Sequence, residues 1–256
     1  MIETIGLSKD YDGKPAVIDL NLTIPAGECF CFLGPNGAGK TTTIKMLTGL
    51  LIPSAGRVSI CGHDIQKEPV EAKRFIGYVP DRPYLYDKLS GRDFLRFVGD
   101  LFDIPREEQA RRAAHYLQLF RLTASQDQFI EDYSHGMRQK IVFAAALLHE
   151  PRVLVIDEPM IGLDPQSART IKTLLREAAR GGKTVFLSTH TLSVAEELAD
   201  RIGVIHHGRM LFLGSIDELR ASRARQMPAG DPRAGGTLED LFLQLTAEEA
   251  DGAAQT

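Results

Sequence analysis

Gly34-Pro35-Asn36-Gly37-Ala38-Gly39-Lys40-Thr41-Thr42 is the stretch on which the fold of this chain turns. Its first eight residues fit the spacing G-x-x-x-x-G-K-S/T. Small residues let successive backbone N–H groups curl around phosphate oxygens, and the helix that follows offers its positive end to them. Lys40 supplies a mobile charge for β and γ phosphates, and the Thr41 hydroxyl a ligand for Mg²⁺. The flanks agree with this reading. Glu28 to Leu33 is a compact, mostly apolar run that reads as a buried strand, and Thr41 to Leu50 reads as a helix. Strand, glycine loop and helix in that order make a nucleotide phosphate site.

Working outward, Val153-Leu-Val-Ile156 runs directly into Asp157-Glu158-Pro159. Four apolar residues followed by two acids put carboxylates at the C-terminal end of a buried strand, where α/β sheets bind ligands. Asp157 is expected to hold Mg²⁺ through water, because that ion keeps several of its waters. Glu158 is expected to accept the proton of an attacking water. A further strand ends in Ser188-Thr189-His190, so His190 is placed to reach the γ-phosphate or order that water. His63, His115, His149, His206 and His207 read as ordinary surface or core histidines. The spacing alone describes a Mg²⁺–nucleotide hydrolase.

Three patterns follow one another along the chain. From Ile2 to about Pro80 short strands dominate, among them Ala16 to Ile24, Arg57 to Cys61 and Phe75 to Val79. From about Tyr84 to Glu150 the pattern is helical. Pro105 to Leu122 carries one apolar stripe, with Pro105 in the first turn, and Met137, Ile141, Ala145 and Leu148 form another, capped by Ser134. After Pro151 strands and helices alternate: Val153–Ile156, Pro165–Arg180, Val185–Ser188, Leu192–Ala199 and Ile202–Ile205. Such alternation predicts a parallel sheet. Ala221 to Gly236 reads as a linker, Thr237 opens a short helix to about Leu245, and the chain from Ala247 on reads as frayed.

Composition sets the outer bounds. The 256 residues carry 30 Lys+Arg against 34 Asp+Glu, a net charge of −4 that argues against holding nucleic acid by bulk charge. The longest apolar runs fall far short of the ~20 residues a membrane helix needs. Met1-Ile2-Glu3-Thr4 has neither the basic start nor the apolar core of a secretory signal, so a cytosolic polypeptide is expected. Cys29, Cys31 and Cys61 make no metal-ligand quartet. Cys29 and Cys31, two apart on one strand face, read as small buried hydrophobes.

Taken in order, several features resemble the ATP-binding subunits of ABC transporters across nearly the whole chain. They are Tyr11, the phosphate loop, Ile76-Gly-Tyr-Val-Pro80, Tyr133-Ser-His-Gly-Met137, Asp157-Glu158, Gly162-Leu-Asp164-Pro165 and His190. The resemblance implies a P-loop NTPase core with a mainly parallel sheet, an N-terminal antiparallel β-subdomain and an inserted α-helical subdomain. The ATPase domain would span 1–222, with helices at about 84–150, and 223–256 would hold the linker, a short helix and a frayed tail. It also implies a head-to-tail dimer, with the same chain or a different one, that encloses two MgATP. Each ATP would meet one subunit's phosphate loop and the other's signature segment, Ser134, His135, Gly136 and Met137. By resemblance Tyr11 stacks on adenine, Asp164 touches the opposite subunit and His190 contacts the γ-phosphate.

Two positions depart from the family pattern. Asp81 stands where a glutamine usually ligates Mg²⁺; a carboxylate binds the ion too, but adds negative charge beside a triphosphate. His135 replaces a glycine of the signature, which leaves either a pH-dependent contact or a ring facing solvent. The spelling Tyr-Ser-His-Gly-Met-Arg-Gln-Lys, with Leu238-Glu-Asp-Leu-Phe-Leu243, is most like the export branch, whose membrane permease is a separate chain. The subunit would then sit on the cytoplasmic side of the cell membrane, held there by the permease. The docking surface is expected near Asp81 to Ser90, with Arg82, Tyr84 and Tyr86 gripping a partner helix; alternatively the tyrosines pack the helical part. Two rivals differ in class: a soluble ABC-type ATPase of translation or repair, and a regulatory module that hydrolyses ATP weakly. A single phosphate loop without a heptad insertion weighs against the first, and intact Lys40, Asp157, Glu158 and His190 against the second.

Overall fold

The computed structural model describes residues 1–226 and 237–253. Two sheets organise it. Strands β1 (Ile2–Tyr11), β2 (Lys14–Ile24), β4 (Ala55–Ile60) and β5 (His63–Asp64) form an antiparallel sheet in the order β2-β1-β4-β5. The second sheet has the order β10-β9-β3-β8-β7-β6, from β3 (Cys29–Leu33), β6 (Ile76–Val79), β7 (Val153–Asp157), β8 (Thr184–Thr189), β9 (Arg201–His206) and β10 (Arg209–Gly214). All its pairings are parallel except that of β10 with β9.

Burial explains why β3 shows no alternation. Cys29, Cys31 and Leu33 enter one hydrophobic core and Phe30 and Phe32 the other, so all five side chains are buried. Phe30 and Phe32 pack on Phe186 of β8, with ring centroids 5.7 and 5.4 Å away. In β2 the alternation is broken, since Val17 and Leu20 are both buried. Asp19 has φ 49° and the register with β1 shifts there, a bulge that resets the pleat.

Helices α1 (Lys40–Leu47) and α2 (Pro69–Arg74) belong to the first third of the chain. Helices α3 (Gly91–Leu101), α4 (Arg106–Leu119) and α5 (His135–Leu148) all lie in the connection between the neighbouring strands β6 and β7. Ser90 caps α3, its hydroxyl accepting from Asp93 N at 3.1 Å. Pro105 is the N-cap residue of α4 and not part of its first turn. On α5 every side chain from Ile141 to Leu148 is buried, more than the expected stripe, because the helix packs against α3, α4 and β6 at once.

Helix α6 (Pro165–Arg180) ends at Gly181-Gly182, where Gly182 takes φ 88°. Then come α7 (Leu192–Leu198), α8 (Ile216–Gln226) and α9 (Leu238–Ala253). Helix α8 runs past the expected start of the linker, of which 227–236 lie outside the described residues. Thr237 does open a helix, accepting from Asp240 N at 3.3 Å, but α9 extends to Ala253 where a short helix and a frayed end are expected. Leu238 and Leu241 anchor it in the core, and the Ala/Glu-rich sequence that follows favours continuation. Residues 254–256 lie outside the described part.

Candidate active site

The glycine loop leaves β3 and enters α1 under tight steric control. A Cβ on Gly34 would lie 2.5 Å from Ile205 O, and one on Gly39, at φ 113°, would lie 2.4 Å from Ala16 O. Only glycine allows the loop to pass this close to β9 and β2. Lys40, 7% exposed, donates from Nζ to Gly34 O at 2.6 Å and Pro35 O at 3.1 Å. Burial lowers its pKa, while Glu158 and Asp157 pull it back up.

Asp157 ends β7 and is 2% exposed. Ser188 Oγ donates to its Oδ1, and Thr41 Oγ1 donates to its Oδ2 at 3.1 Å. Burial raises its pKa, and the two hydroxyl donors oppose that rise. At Glu158 the backbone turns sharply into the left-handed region, φ 49°, a conformation that costs a non-glycine residue about 1–3 kcal/mol. The turn brings its carboxylate to the end of β8. There Thr189 Oγ1 donates to Oε2 at 3.2 Å, His190 N donates to Oε1 at 3.1 Å, and His190 Nδ1 lies 2.7 Å from Oε1.

These groups share one cleft of about 370 Å³. Pro35, Asn36, Gly37, Gly39, Lys40, Thr41, Thr42, Asp81, Asp157, Glu158 and His190 line it, together with Ala16 and Ile161. Gly34 and Ala38 lie beneath the loop, Gly34 against Ile205 and Ala38 buried. Thr41, Asp81 and Asp157 offer hard oxygen donors of the kind Mg²⁺ takes. Among the described residues no group of three or more His, Cys, Asp or Glu is spaced to hold an ion unaided. The donor set therefore fits an ion completed by phosphate oxygens and water.

Other expected positions fall outside the cleft. Tyr11 is 45% exposed near the turn of the β1–β2 hairpin, with Lys9 Nζ 5.3 Å from its ring centre. Ser134 caps α5, accepting from Met137 N at 3.3 Å; Ser134 and His135 are exposed, Gly136 and Met137 half-buried, and none of the four lines the cleft. The His135 ring is exposed yet seated on Gly162. Asp164 caps α6, accepting from Ser167 N at 2.9 Å, and pairs with Lys140 at 3.3 Å. The hydrogen bonds from Ser167, then Lys140, hold its pKa well below the carboxylate range. Sequence reasoning gave no role to Ser188 and Thr189. Polar side chains closing the apolar Val185-Phe-Leu187 run were a signal, but their targets depend on the pairing of Asp157 with Ser188.

The ABC transporter family profile matches residues 17–161. The linearmycin resistance ATP-binding protein LnrL of Bacillus subtilis is 37% identical over 96% of this chain and 75% of its own length. The daunorubicin/doxorubicin resistance ATP-binding protein DrrA of Streptomyces peucetius is 40% identical over 86% of this chain and 67% of its own. A solved ATP-binding subunit of an ABC transporter superposes with a TM-score of 0.88 at 32% identity, covering 96% of this chain and 99% of that one. The cassette MJ0796, solved as a post-hydrolysis dimer bound to ADP and Pi, gives 0.78 at 25% identity over 84% of this chain and 99% of its own. The chain belongs to the ABC transporter ATP-binding family, as a Mg²⁺-dependent, ATP-hydrolysing subunit.

Proposed function

We propose that this chain closes head to tail on a second ATPase subunit, identical or different, and drives export through a separate membrane permease. The observation that carries this is the separation of the phosphate loop, Asp157, Glu158 and His190 in one cleft from the signature turn outside it, where Ser134 and His135 are exposed. The helix N-terminus and Ser134 hydroxyl at that turn suit a γ-phosphate held by another chain. Bound Mg²⁺ would offset phosphate charge, with Thr41, Asp81 and, through water, Asp157 as its protein partners. The loop amides and Lys40 bind and orient the phosphates. Glu158 takes the proton of the attacking water, and His190, 2.7 Å from its carboxylate, keeps that group aimed and reaches the γ-phosphate. Tyr11 meets adenine from the hairpin whose other strand contributes Ala16. Asp164 serves the subunit contact through the loop it rigidifies, because its carboxylate is committed within its own chain.

No helix of the described residues is long and apolar enough to cross a membrane. The permease is placed on an apolar groove of about 400 Å³ beside the expected Asp81–Ser90 surface, lined by Leu50, Tyr84, Phe94, Val98, Phe102 and His149 among others. Tyr84 is 93% exposed, which suits a partner-gripping residue; Tyr86 instead packs edge-on against Phe97 at 5.3 Å. Two relatives named for linearmycin and daunorubicin/doxorubicin resistance support the export direction, and the permease would hold the subunit on the cytoplasmic face of the membrane. The test is affinity purification from detergent-solubilised membranes. Wild type should bring down an integral membrane protein that Leu50→Asp and Tyr84→Ala lose; recovery of only ribosomal or DNA-bound material would overturn the assignment.

A further inference from the structure

We propose that the Thr189 hydroxyl selects Oε2 of Glu158 as the oxygen that takes the proton of the attacking water. The inference rests on the general-base reading of Glu158 above and deepens it to one atom and the residue that aims it. A carboxylate offers about four lone-pair sites, two on each oxygen. On Glu158 three of them are filled from within the chain. Oε1 takes two donors, His190 N at 3.1 Å and His190 Nδ1 at 2.7 Å. The ring proton sits on Nδ1, because a bare nitrogen and a carboxylate oxygen would repel each other at that distance. Oε2 takes one donor, Thr189 Oγ1 at 3.2 Å. Among the described residues nothing else donates to this carboxylate. The open lone pair is therefore on Oε2, and the side chain, 12% exposed, lines the nucleotide cleft.

The sense of the Thr189 bond is itself set. Thr191 N donates to Thr189 Oγ1 at 3.0 Å, so the hydroxyl turns its own hydrogen away from that amide and toward Oε2. The backbone behind it is equally fixed. Thr189 closes β8, which lies between β3 and β7, with Leu33 of β3 opposite it and Asp157 of β7 opposite its neighbour Ser188. The residue is 2% exposed. Two successive hydroxyls of one strand thus serve two successive acids of the next, Ser188 on Asp157 and Thr189 on Glu158. A group carried on a central strand holds its aim better than one carried on a loop. Thr189 does not line the cleft, so it is a positioning residue that acts through Glu158.

The test compares kcat and KM for ATP hydrolysis by the full chain in wild type, Thr189→Val, Thr189→Ser, Glu158→Gln and the variant carrying both Thr189→Val and Glu158→Gln. Valine keeps the shape of threonine and lacks the donor; Thr191, whose amide loses its acceptor, is exposed and can turn to water. Thr189→Val should lower kcat about 10-fold or more while KM stays within about 2-fold of wild type. Thr189→Ser, which keeps the hydroxyl, should return kcat to within about 3-fold of wild type. On the Glu158→Gln background the valine should lower kcat no further, because both changes act on one interaction. Binding of trinitrophenyl-ATP checks that each variant holds nucleotide. Should Thr189→Val fail to bind it, Thr189→Cys, a weaker donor of similar size, takes its place and should turn over more slowly than Thr189→Ser. If Glu158→Gln hydrolyses ATP at nearly the wild-type rate, the general-base reading falls and the role of Thr189 with it. If Glu158→Gln is impaired but the valine or cysteine variant keeps wild-type kcat, or loses the same factor in both backgrounds, the role of Thr189 alone is overturned.

Discussion

Ser188→Ala removes one of the two hydroxyls that hold Asp157. The serine is fully buried and donates to Asp157 Oδ1, so the substitution strips that oxygen of its donor and leaves Thr41, 3.1 Å from Oδ2, to hold the carboxylate. A hydrogen bond to a charged group contributes about 1.5–3 kcal/mol, or about 10- to 150-fold in an equilibrium. Burial already raises the Asp157 pKa, and Ser188 is the leading opposing influence, so the variant's carboxyl should hold its proton to still higher pH. Protons then compete with Mg²⁺ for the same oxygens. The Mg²⁺ concentration for half-maximal ATP hydrolysis should rise about 10-fold or more at mildly acidic pH, and by less at alkaline pH where deprotonation restores the ligand. The assay is initial rate against Mg²⁺ at fixed ATP at the two pH values, with Ser188→Thr as the hydroxyl-retaining control. A Mg²⁺ dependence in Ser188→Ala equal to wild type at both would refute the assignment of Ser188 to Asp157.

Glu158→Gln should keep ATP binding while lowering kcat by about 10²–10⁴, the usual weight of a general base; single-turnover measurements showing near-normal hydrolysis would remove Glu158 from that role. Asp157→Asn should raise stability while abolishing Mg²⁺-dependent turnover. The native carboxyl binds its proton above the unfolded value of 3.8, so its contribution is lost as pH rises through the raised pKa, and at neutral pH the buried charge is destabilising. Calorimetry of the nucleotide-free variant should show a higher Tm, by about 2–4 °C per kcal/mol recovered; a lower Tm would contradict this. His149, which donates from Nε2 to Ile76 O at 3.0 Å and stacks on Phe102, has its pKa lowered by burial from 6.5 to about 4. Between those values only the unfolded chain takes up the proton, so stability should fall by up to about 3 kcal/mol as pH drops through that window. His149→Leu should flatten the loss in urea titrations at pH 7, 5.5 and 4.5; an unchanged profile would show that another group dominates.

Residues whose placement follows from backbone chemistry are legible in the sequence. Gly34 and Gly39 flank a loop that only glycine can form, and the order strand, loop, helix predicts α1, which ends at Leu47 where Leu50 is expected. The positions of Asp157 and His190 at strand ends are legible because an apolar run ending in polar residues marks the C-terminal edge of a sheet. Ser188 and Thr189 carry the same mark, but their partners depend on β7 lying beside β8 in one particular register, which pairs residues 31 apart in the chain. Alternation could not reveal the continuous burial of α5, since a helix enclosed on several sides loses its stripe. The ring of His135 had two open readings; exposure suited the solvent-facing one, yet the missing side chain of Gly162 provides its seat.

The connectivity of the larger sheet has a consequence for how the protein comes into being. The phosphate loop follows β3, and among the described residues β3 pairs with β8 and β9: Cys29 with Val185, and Phe30 with Arg201. During synthesis the glycine loop leaves the ribosome early, but β8 and β9, the partners of β3, emerge more than half a chain later. Helices α3 to α5 make local contacts and can form in the interval; β3 must wait through the slow closure of a long loop. The nucleotide cleft is therefore a late product of folding. A nucleotide that binds the finished cleft and not the unfolded chain stabilises the folded state by mass action.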